Sequence, residues 1–282
     1  MREKPTIVVT GANGQLGREL VLLEQTGFTV VGLSRNELDI TDLSACRQIM
    51  NEYYPYAVIH CGAYTAVDKA ESEPDEAFRI NRDGTNNIAI SSHEIGAKLI
   101  YISTDYVFDG KSTIPYVETD AVDPVTVYGS SKLAGEEAVQ TIHPNYFIVR
   151  TSWVFGQYGN NFVNTMLSLA EQHKSLKVVS DQIGSPTSTY DLAQFLLQLV
   201  ETEHYGIYHV SNSGSCSWYD FAIAIFAESG VSVDVEACTT EQFPRPAARP
   251  AYSVMAHRQM ELNGFQPLRD WREALHDYIN KL

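Results

Sequence analysis

The chain has 282 residues and a formal net charge of −15, which is long enough for one large domain or two modest ones with a sizeable core. Hydrophobic residues make up 44% and charged residues 20%, the proportions of an ordinary globular protein. The acidic charge argues against a nucleic-acid-binding protein that works by neutralising phosphates, although a small anionic ligand needs only a local cluster of donors.

The start of the chain carries only a short apolar run, residues 7–9, before a glycine-rich turn. That run is too short for a signal peptide or a membrane span, so we expect a cytoplasmic protein that does not bind a membrane. The cysteines are widely scattered and no pair has the spacing of a zinc or redox motif, which favours reduced thiols. They are Cys46, Cys61, Cys216 and Cys238.

A strand, a glycine-rich turn and a helix open the chain. Residues 5–10, PTIVVT, predict a short buried strand, and RELVLLEQTG predicts a helix that stops at Gly27. In the intervening GANGQLG, Gly11 permits a tight turn, Gly14 lets a phosphate approach the backbone, and Gly17 lets the helix pack closely on the sheet. The helix N-terminus then faces a pyrophosphate. This context favours dinucleotide binding over the alternative, a purely structural turn.

The second predicted strand, residues 28–33, ends in SRNELDITD. NAD-binding proteins often place an acid here to hold the ribose 2′-hydroxyl, whereas this chain has Ser34 and Arg35. An arginine suits a 2′-phosphate through charge-assisted and stacking contacts, so the sequence predicts NADPH as the preferred cofactor, with NADH as an accepted alternative. Asp39 is better placed to bond the adenine amino group.

Strands and helices continue to alternate as far as residue 156, which predicts an α/β fold with a Rossmann-like doubly wound parallel sheet. Asp42 or Thr41 could cap the second helix. After the third strand, the small residues Gly62 and Ala63 allow a flat ring to pass close to the backbone. The predicted segments are helix 42–53, strand and loop 57–65, helix 73–95, strand 98–104, the helix that carries Tyr128, and strand 146–156.

Beyond about residue 155 the alternation loosens. We interpret residues 1–155 as a dinucleotide-binding core and residues 156–282 mainly as a smaller α/β substrate-binding lobe, with some segments returning to the core. A proline-punctuated loop in this lobe carries Arg245 and Arg249, which stand out in so acidic a chain. This loop is either a solvated segment or a clamp on an anionic substrate such as a diphosphate.

The fourth predicted strand runs directly into the polar cluster Ser103, Thr104 and Asp105. Ligand sites in open parallel sheets lie outside the carboxyl ends of the strands. Ser103 and Thr104 could simply close off the strand, but Thr104 is also well placed to donate a hydrogen bond to a substrate oxygen.

The stretch VYGSSKLAGE places Tyr128 and Lys132 four residues apart on one face of a predicted helix. A nearby ammonium favours the phenolate, so it lowers the tyrosine pKa from its ordinary value of about 10. A tyrosine tuned in this way can exchange a proton with an oxygen near neutral pH. On the spacing alone, a surface tyrosine beside a solvated lysine is the commoner explanation.

Together, the glycine turn, the Ser103 to Asp105 cluster and the Tyr128–Lys132 pair resemble the extended short-chain dehydrogenase/reductase family. Further stretches are similar to the dTDP-4-dehydrorhamnose reductase family, which reduces a 4-keto sugar nucleotide with NADPH or NADH in the last step to dTDP-L-rhamnose, a precursor of polysaccharide. These stretches are residues 67–74, 103–110, 150–156, 159–167, 181–187 and 245–250. The resemblance covers essentially the whole chain and implies a dTDP-sugar substrate.

The resemblance implies a role for each matching residue. Tyr128 gives its proton to the 4-keto oxygen, Lys132 bonds the nicotinamide ribose and lowers the tyrosine pKa, and Thr104 supports the same oxygen. The implied substrate contacts are Thr104, Asp105, Tyr106, Trp153 and Arg249, with the Arg249 region on the nucleotide-diphosphate side. The implied cofactor contacts are Gly11, Asn13, Gly14, Gln15, Leu16, Gly17, Arg35, Asp39, Ile40, Cys61, Gly62, Ala63, Tyr64, Thr65, Ser103, Tyr128 and Lys132.

Three alternatives stay open at this point. Sugar-nucleotide 4,6-dehydratases carry Asp-Glu after the active-site threonine, whereas here Thr104 is followed by Asp105 and Tyr106, so the base for elimination is missing. A 4-epimerase also uses tyrosine and lysine and is disfavoured only by the whole-chain resemblance. A non-catalytic regulatory subunit of the same fold is disfavoured because Thr104, Tyr128 and Lys132 are all present.

Some relatives dimerise around magnesium held by glutamates, one of them in the glycine loop. This chain has Gln15 there, a neutral side chain that is a weaker ligand for a hard cation. We therefore expect no metal and predict a monomer or a weak homodimer.

Overall fold

The computed structural model describes residues 4–23 and 27–282. The end of the first predicted helix falls partly on residues 24–26, which lie outside the described residues. The strands are β1 (Thr6–Thr10), β2 (Thr29–Leu33), β3 (Ala57–His60), β4 (Lys98–Thr104), β5 (Tyr146–Thr151), β6 (Val154–Phe155), β7 (Ser175–Val179), β8 (Ile183–Gly184), β9 (Thr187–Ser188), β10 (Gly206–His209), β11 (Cys216–Ser217) and β12 (Asp234–Cys238).

The main sheet contains six parallel strands in the order β10-β5-β4-β3-β1-β2, which confirms the predicted doubly wound arrangement. The strand after β1 lies on one side of it and the next strand on the other, so the strand order reverses between β1 and β3. Ligands of such sheets bind at this reversal, outside the carboxyl ends of the strands.

The apolar runs of the strands supply two cores, one on each face of the sheet. Ile7 and Val9 of β1 pack in the cluster that contains Leu20, whereas Val8 packs in the cluster that contains Met50. Successive side chains of a strand point to opposite faces, and a strand that is covered on both faces must be apolar throughout.

Helices cover both faces. Of the two proposed caps of the second helix, Asp42 is the one used, because its carboxylate accepts hydrogen bonds from the N–H groups of Ser44 and Ala45. The helices are α1 (Gln15–Leu22), α2 (Leu43–Tyr53), α3 (Val67–Ala70), α4 (Pro74–Phe78), α5 (Thr85–Glu94), α6 (Val127–Ile142), α7 (Phe162–Gln172), α8 (Thr189–Val200), α9 (Trp218–Ser229), α10 (Arg258–Leu262) and α11 (Trp271–Ile279).

The predicted helix 73–95 is interrupted by a π-helical turn, Arg79–Gly84, between α4 and α5. Asn81 in this turn is buried and its amide bonds three groups outside the helix: its oxygen accepts from Tyr64 N at 2.7 Å, and its nitrogen donates to Tyr64 O and to Ser131 Oγ. Single π turns within helices frequently occur at functional sites, and this one holds the loop after β3 against α6.

The C-terminal segments form a further apolar cluster and also complete the main sheet. Phe155, Val163, Phe221 and Trp271 belong to a separate core of α7, α9 and α11, next to the parallel pair β7 and β12. In contrast, β10 pairs with β5 and α8 packs in the core beside α1. The division at residue 155 stays a prediction. Within the described parts of the chain, no helix is long and apolar enough to cross a membrane.

Candidate active site

A cavity of about 1050 Å³ joins the loops that follow β1, β2, β3, β4 and β5 to side chains of the C-terminal segments. All but one of the predicted site residues line it. The exception is Tyr64, whose hydroxyl instead donates to Glu73 Oε2 at 2.9 Å. The predicted residues that line the cavity are Gly11, Asn13, Gly14, Gln15, Leu16, Gly17, Arg35, Asp39, Ile40, Cys61, Gly62, Ala63, Thr65, Ser103, Thr104, Asp105, Tyr106, Tyr128, Lys132, Trp153 and Arg249.

The glycine loop is packed so closely that side chains do not fit at two of its glycines. Gly11 has a φ of +68°, and a Cβ there would lie 2.7 Å from Gly62 N. A Cβ on Gly17 would lie 2.3 Å from the carbonyl oxygen of Gly11. Gly14 precedes α1 without a capping side chain, so the first N–H groups of the helix are available to an anion. This loop fits the pyrophosphate of a dinucleotide.

Two arginines line the end of the cavity that follows β2. Arg35 is exposed, as expected for a contact to a 2′-phosphate, and Arg79 also lines the cavity. The Arg79 guanidinium donates to Thr41 Oγ1 and Glu76 Oε1, each at 2.7 Å. Hydrogen bonds from the backbone and hydroxyl of Thr41, with smaller effects of both arginines, lower the pKa of Asp39. Sequence reasoning missed Arg79 because no local motif marks it.

Helix α6 carries Tyr128 and Lys132, the predicted catalytic pair. The Thr126 side chain caps this helix by accepting from Gly129 N at 3.0 Å, so Tyr128 lies in the first turn and Lys132 one turn later. The Lys132 ammonium donates to Ile102 O at 2.7 Å and lies 4.0 Å from the centre of the Tyr101 ring. The two side chains therefore lie on the face of α6 that packs against β4.

Burial dominates the proton affinities of the pair. It raises the pKa of Tyr128 to about 12, against a lowering effect of the Thr104 hydroxyl. It lowers the pKa of Lys132 to about 7, against a raising effect of the Glu136 carboxylate. The predicted lowering of the tyrosine pKa is therefore wrong for this structure, because burial, with a smaller contribution from the Asp105 carboxylate, outweighs the Thr104 hydroxyl. With this pKa the phenol carries its proton at neutral pH.

Thr104 and Asp105 form a hydrogen-bonded unit beside Tyr128. The Thr104 hydroxyl donates to Asp105 Oδ1 at 2.9 Å and accepts from Tyr106 N at 3.2 Å. Burial raises the pKa of Asp105 to about 6, while Ser253 and Thr104 oppose the rise. To donate to a substrate oxygen, the Thr104 hydroxyl has to turn away from this carboxylate. Ser253, from the loop before α10, was missed by sequence reasoning.

A buried ion pair lies one helical turn beyond Lys132. The Glu136 carboxylate accepts from Arg150 Nε at 2.9 Å and from Arg150 Nη2 at 2.7 Å. The side chains are 0% and 3% exposed. The Ser103 hydroxyl donates to Glu136 Oε1 at 2.5 Å, so its proton is directed into this network and not toward the cavity.

The two arginines of the predicted clamp both lie close to Asp68. Arg249 Nη2 lies 2.8 Å from Asp68 Oδ1, and Arg245 Nε lies 3.9 Å from Asp68 Oδ2. Both arginines line the cavity, and the aspartate ties their loop to α3. Trp153 also lines the cavity, and its indole is stacked on that of Trp218.

For metals, residues 4–23 and 27–282 contain no group of three or more His, Cys, Asp or Glu side chains that could hold an ion.

Comparison with known proteins places these features in a family. The RmlD substrate binding domain model matches residues 5–282. The spore coat polysaccharide biosynthesis protein SpsK of Bacillus subtilis is 49% identical over 98% of this chain and 97% of its own length. The dTDP-4-dehydrorhamnose reductase of Aggregatibacter actinomycetemcomitans is 42% identical over 95% of this chain and 96% of its own length.

A solved structure agrees with these relatives. The dTDP-4-dehydrorhamnose reductase of Bacillus anthracis in complex with NADP superimposes with a TM-score of 0.97 at 46% identity, covering 99% of this chain and 100% of the other. The chain therefore belongs to the RmlD substrate binding domain family, together with proteins named dTDP-4-dehydrorhamnose reductase.

Proposed function

We propose that this protein catalyses the NADPH-dependent reduction of the 4-keto group of dTDP-4-dehydro-6-deoxy-L-mannose to dTDP-L-rhamnose. The observation that carries the proposal is a single cavity that joins a dinucleotide-type glycine loop to the phenol of Tyr128. The names of the relatives supply the substrate, and the similarity to SpsK supports use of the product in a spore or cell-surface polysaccharide.

The residues present fit a dinucleotide with a 2′-phosphate. The close approach of Gly17 to Gly11 and the uncapped start of α1 leave backbone N–H groups for a pyrophosphate. Arg35 supplies the cation for the 2′-phosphate, and Arg79 is a second cation at the same end of the cavity. The relative from Bacillus anthracis was solved with NADP, which supports the same cofactor here.

Bound NADPH supplies the hydride, and the protein supplies the proton and the position of the substrate. Tyr128 donates its phenolic proton to the 4-keto oxygen as that oxygen becomes negative. Thr104 donates a second hydrogen bond to the same oxygen, and Lys132 binds the ribose and stabilises the resulting phenolate. The raised pKa of Tyr128 means that the phenol is protonated before each turnover.

The other implied contacts would hold the sugar nucleotide. Asp105 and Tyr106 would line the sugar site beside Thr104. Trp153 offers an indole against which the sugar ring can pack. Arg249 attracts the diphosphate, with Asp68 sharing its charge.

The test is a coupled assay with purified protein, the 4-keto sugar nucleotide and NADPH, monitored by the absorbance of the reduced nicotinamide. We expect oxidation of NADPH and a product identified as dTDP-L-rhamnose by chromatography and NMR. Tyr128→Phe is the matched control, since it removes one hydroxyl. Binding of NADPH without its oxidation would favour the regulatory subunit instead, and a product with unchanged oxidation state would favour the epimerase.

A further inference from the structure

Trp153 has a backbone conformation that bulky residues rarely adopt. Its φ is +47°, and Tyr54 is the one other non-glycine residue with a positive φ in the described part of the chain. A non-glycine residue in this region is strained and persists only when its surroundings hold it there. Trp153 also lines the cavity. Strain of this kind concentrates at ligand-binding positions.

Two small sheets hold Trp153 in place. Strand β6 begins directly after it and pairs with β9, and the Trp153 carbonyl accepts from Thr187 N at 3.2 Å. Strand β8 carries Gly184, where a Cβ would lie 2.4 Å from Cε2 of the indole. The first sheet fixes the backbone of Trp153, and the second closes one edge of its ring.

The second sheet also fixes Trp218. Strand β8 pairs with β11, with Cys216 opposite Gly184, and α9 starts immediately after β11 with Trp218 as its first residue. A capping box between Ser217 and Asp220 fixes this start. The backbone of Trp218 is therefore fixed by the same small sheet that carries Gly184, the glycine next to the Trp153 indole.

The two indoles are stacked with almost complete overlap. Their ring centres are 3.5 Å apart and the planes differ by 8°, so Trp218 covers one face of Trp153. Phe162 supports Trp218 with a centre-to-centre distance of 4.5 Å. Both indoles line the cavity, and the face of Trp153 that Trp218 covers is closed to a ligand.

We propose that Trp218 is a positioning residue: by covering one face of the Trp153 indole, it holds the other face as the wall against which the sugar ring of the substrate packs. The inference rests on the proposed function, which supplies the sugar nucleotide. It assigns a role in substrate binding to a side chain that does not belong to the Tyr128–Lys132–Thr104 set.

The experiment compares Trp218→Ala and Trp218→Phe with the wild type. Loss of the stack frees the Trp153 ring, so Trp218→Ala should raise KM for the sugar nucleotide about tenfold, which corresponds to the upper range of an aromatic pair. We expect kcat to change by less than about threefold and KM for NADPH to stay constant, because neither the phenol nor the glycine loop is altered. Trp218→Phe keeps a ring in place and should restore most of the affinity.

Tyr219→Ala is the matched control. Tyr219 is the next residue of α9, is partly buried against the same core, and does not line the cavity. Its loss should leave both KM values unchanged. The stack itself is tested without substrate, since two coupled indoles give an exciton couplet in circular dichroism, which the wild type should show and Trp218→Phe should lose.

The outcomes separate the inference from the proposed function. Absence of NADPH oxidation by the wild type with the sugar nucleotide overturns the proposed function. If the wild type turns over, an unchanged KM in Trp218→Ala, or a missing couplet in the wild type, overturns the role of Trp218. Equal losses in kcat and in NADPH binding would mean general structural damage and would also overturn it. If Trp218→Ala does not fold, Trp218→Leu retains apolar bulk without a stack and carries the same expectation.

Discussion

Replacing Glu136 by glutamine tests the buried ion pair between helix α6 and strand β5. Glutamine has nearly the same shape and keeps an acceptor for Ser103 and Arg150, but it removes the negative charge. The Arg150 guanidinium, 3% exposed, would then be buried without a counter-charge. Glu136 also lies one turn from Lys132 and raises its pKa, so the substitution affects both stability and the proton affinity of the lysine.

The expected loss of stability is large. Removing one partner of a buried ion pair costs about 3–5 kcal/mol, because the remaining charge has lost its counter-charge and cannot regain water. Folded proteins are stable by only about 5–15 kcal/mol, so this is a substantial fraction of the total. At roughly 2–4 °C per kcal/mol for a chain of comparable size, Tm should fall by roughly 10 °C.

Thermal and urea unfolding of the purified variants measure this loss. Glu94→Gln is the matched control, because the Arg47–Glu94 pair has the same chemistry but side chains that are 47% and 44% exposed, and exposed pairs contribute little. A double variant, Glu136→Met with Arg150→Met, removes both charges and should regain much of the stability lost in Glu136→Gln.

Two results would refute this reasoning. The first is a Glu136→Gln protein that is destabilised no more than Glu94→Gln, which would mean that water reaches the Arg150 guanidinium. The second is a double variant that is much less stable than Glu136→Gln, which would mean that packing and not charge is the reason for the loss.

Three further predictions concern the cofactor and the proton. Tyr128→Phe should reduce kcat by about 10²–10⁴ with nearly unchanged NADPH binding in a fluorescence titration; a near-normal rate would remove Tyr128 as the proton donor. Arg35→Asp should reduce the preference for NADPH over NADH about ten- to a hundredfold, by loss of a charge-assisted bond, and an unchanged ratio of kcat/KM values would contradict its contact with the 2′-phosphate. Because the pKa of Lys132 is about 7 in this structure, its ammonium is lost as pH rises through that value, so NADPH should bind more weakly at higher pH. Lys132→Met should abolish this dependence, and an identical pH profile in the variant would assign it to another group.

Local sequence was enough to predict the parts of the fold that depend on local chemistry. The apolar run of β1 predicted a strand, because a buried parallel strand must be apolar. The glycines after it predicted a pyrophosphate loop, and the structure leaves no room for a side chain where Gly11 meets Gly62 or where Gly17 meets Gly11. The Tyr128 helix was also predicted from the local sequence, and the Thr126 side chain caps its start.

Long-range contacts could not be predicted in this way. In the π turn, Asn81 bonds Tyr64 and Ser131, which are 17 and 50 residues away. Arg249 pairs with Asp68, which is 181 residues away. No local pattern around Asn81 or Arg249 predicts which residue each of them contacts. The sequence could therefore suggest a basic clamp but could not predict that Asp68 pairs with it.

The sequence predicted a lowered pKa for Tyr128, whereas the structure gives a raised one. The cause of this difference also predicts different pH dependences for reduction and for its reverse. Spacing places a lysine near the phenol, but burial acts on both groups and favours their neutral forms. With a pKa of about 12 for Tyr128, only about one phenol in 10⁵ is ionised at pH 7. Reduction starts from the protonated phenol and does not depend on this fraction.

The reverse reaction, oxidation of the sugar alcohol with NADP⁺, needs the phenolate as a base. Its rate at saturating substrates should rise up to tenfold per pH unit on the alkaline side of neutrality, whereas the rate of reduction should be flat or fall as Lys132 loses its proton. Initial rates in both directions across this pH range measure the difference. Parallel pH profiles would mean that the bound cofactor lowers the pKa of Tyr128 toward neutrality, which would restore the expectation from the sequence.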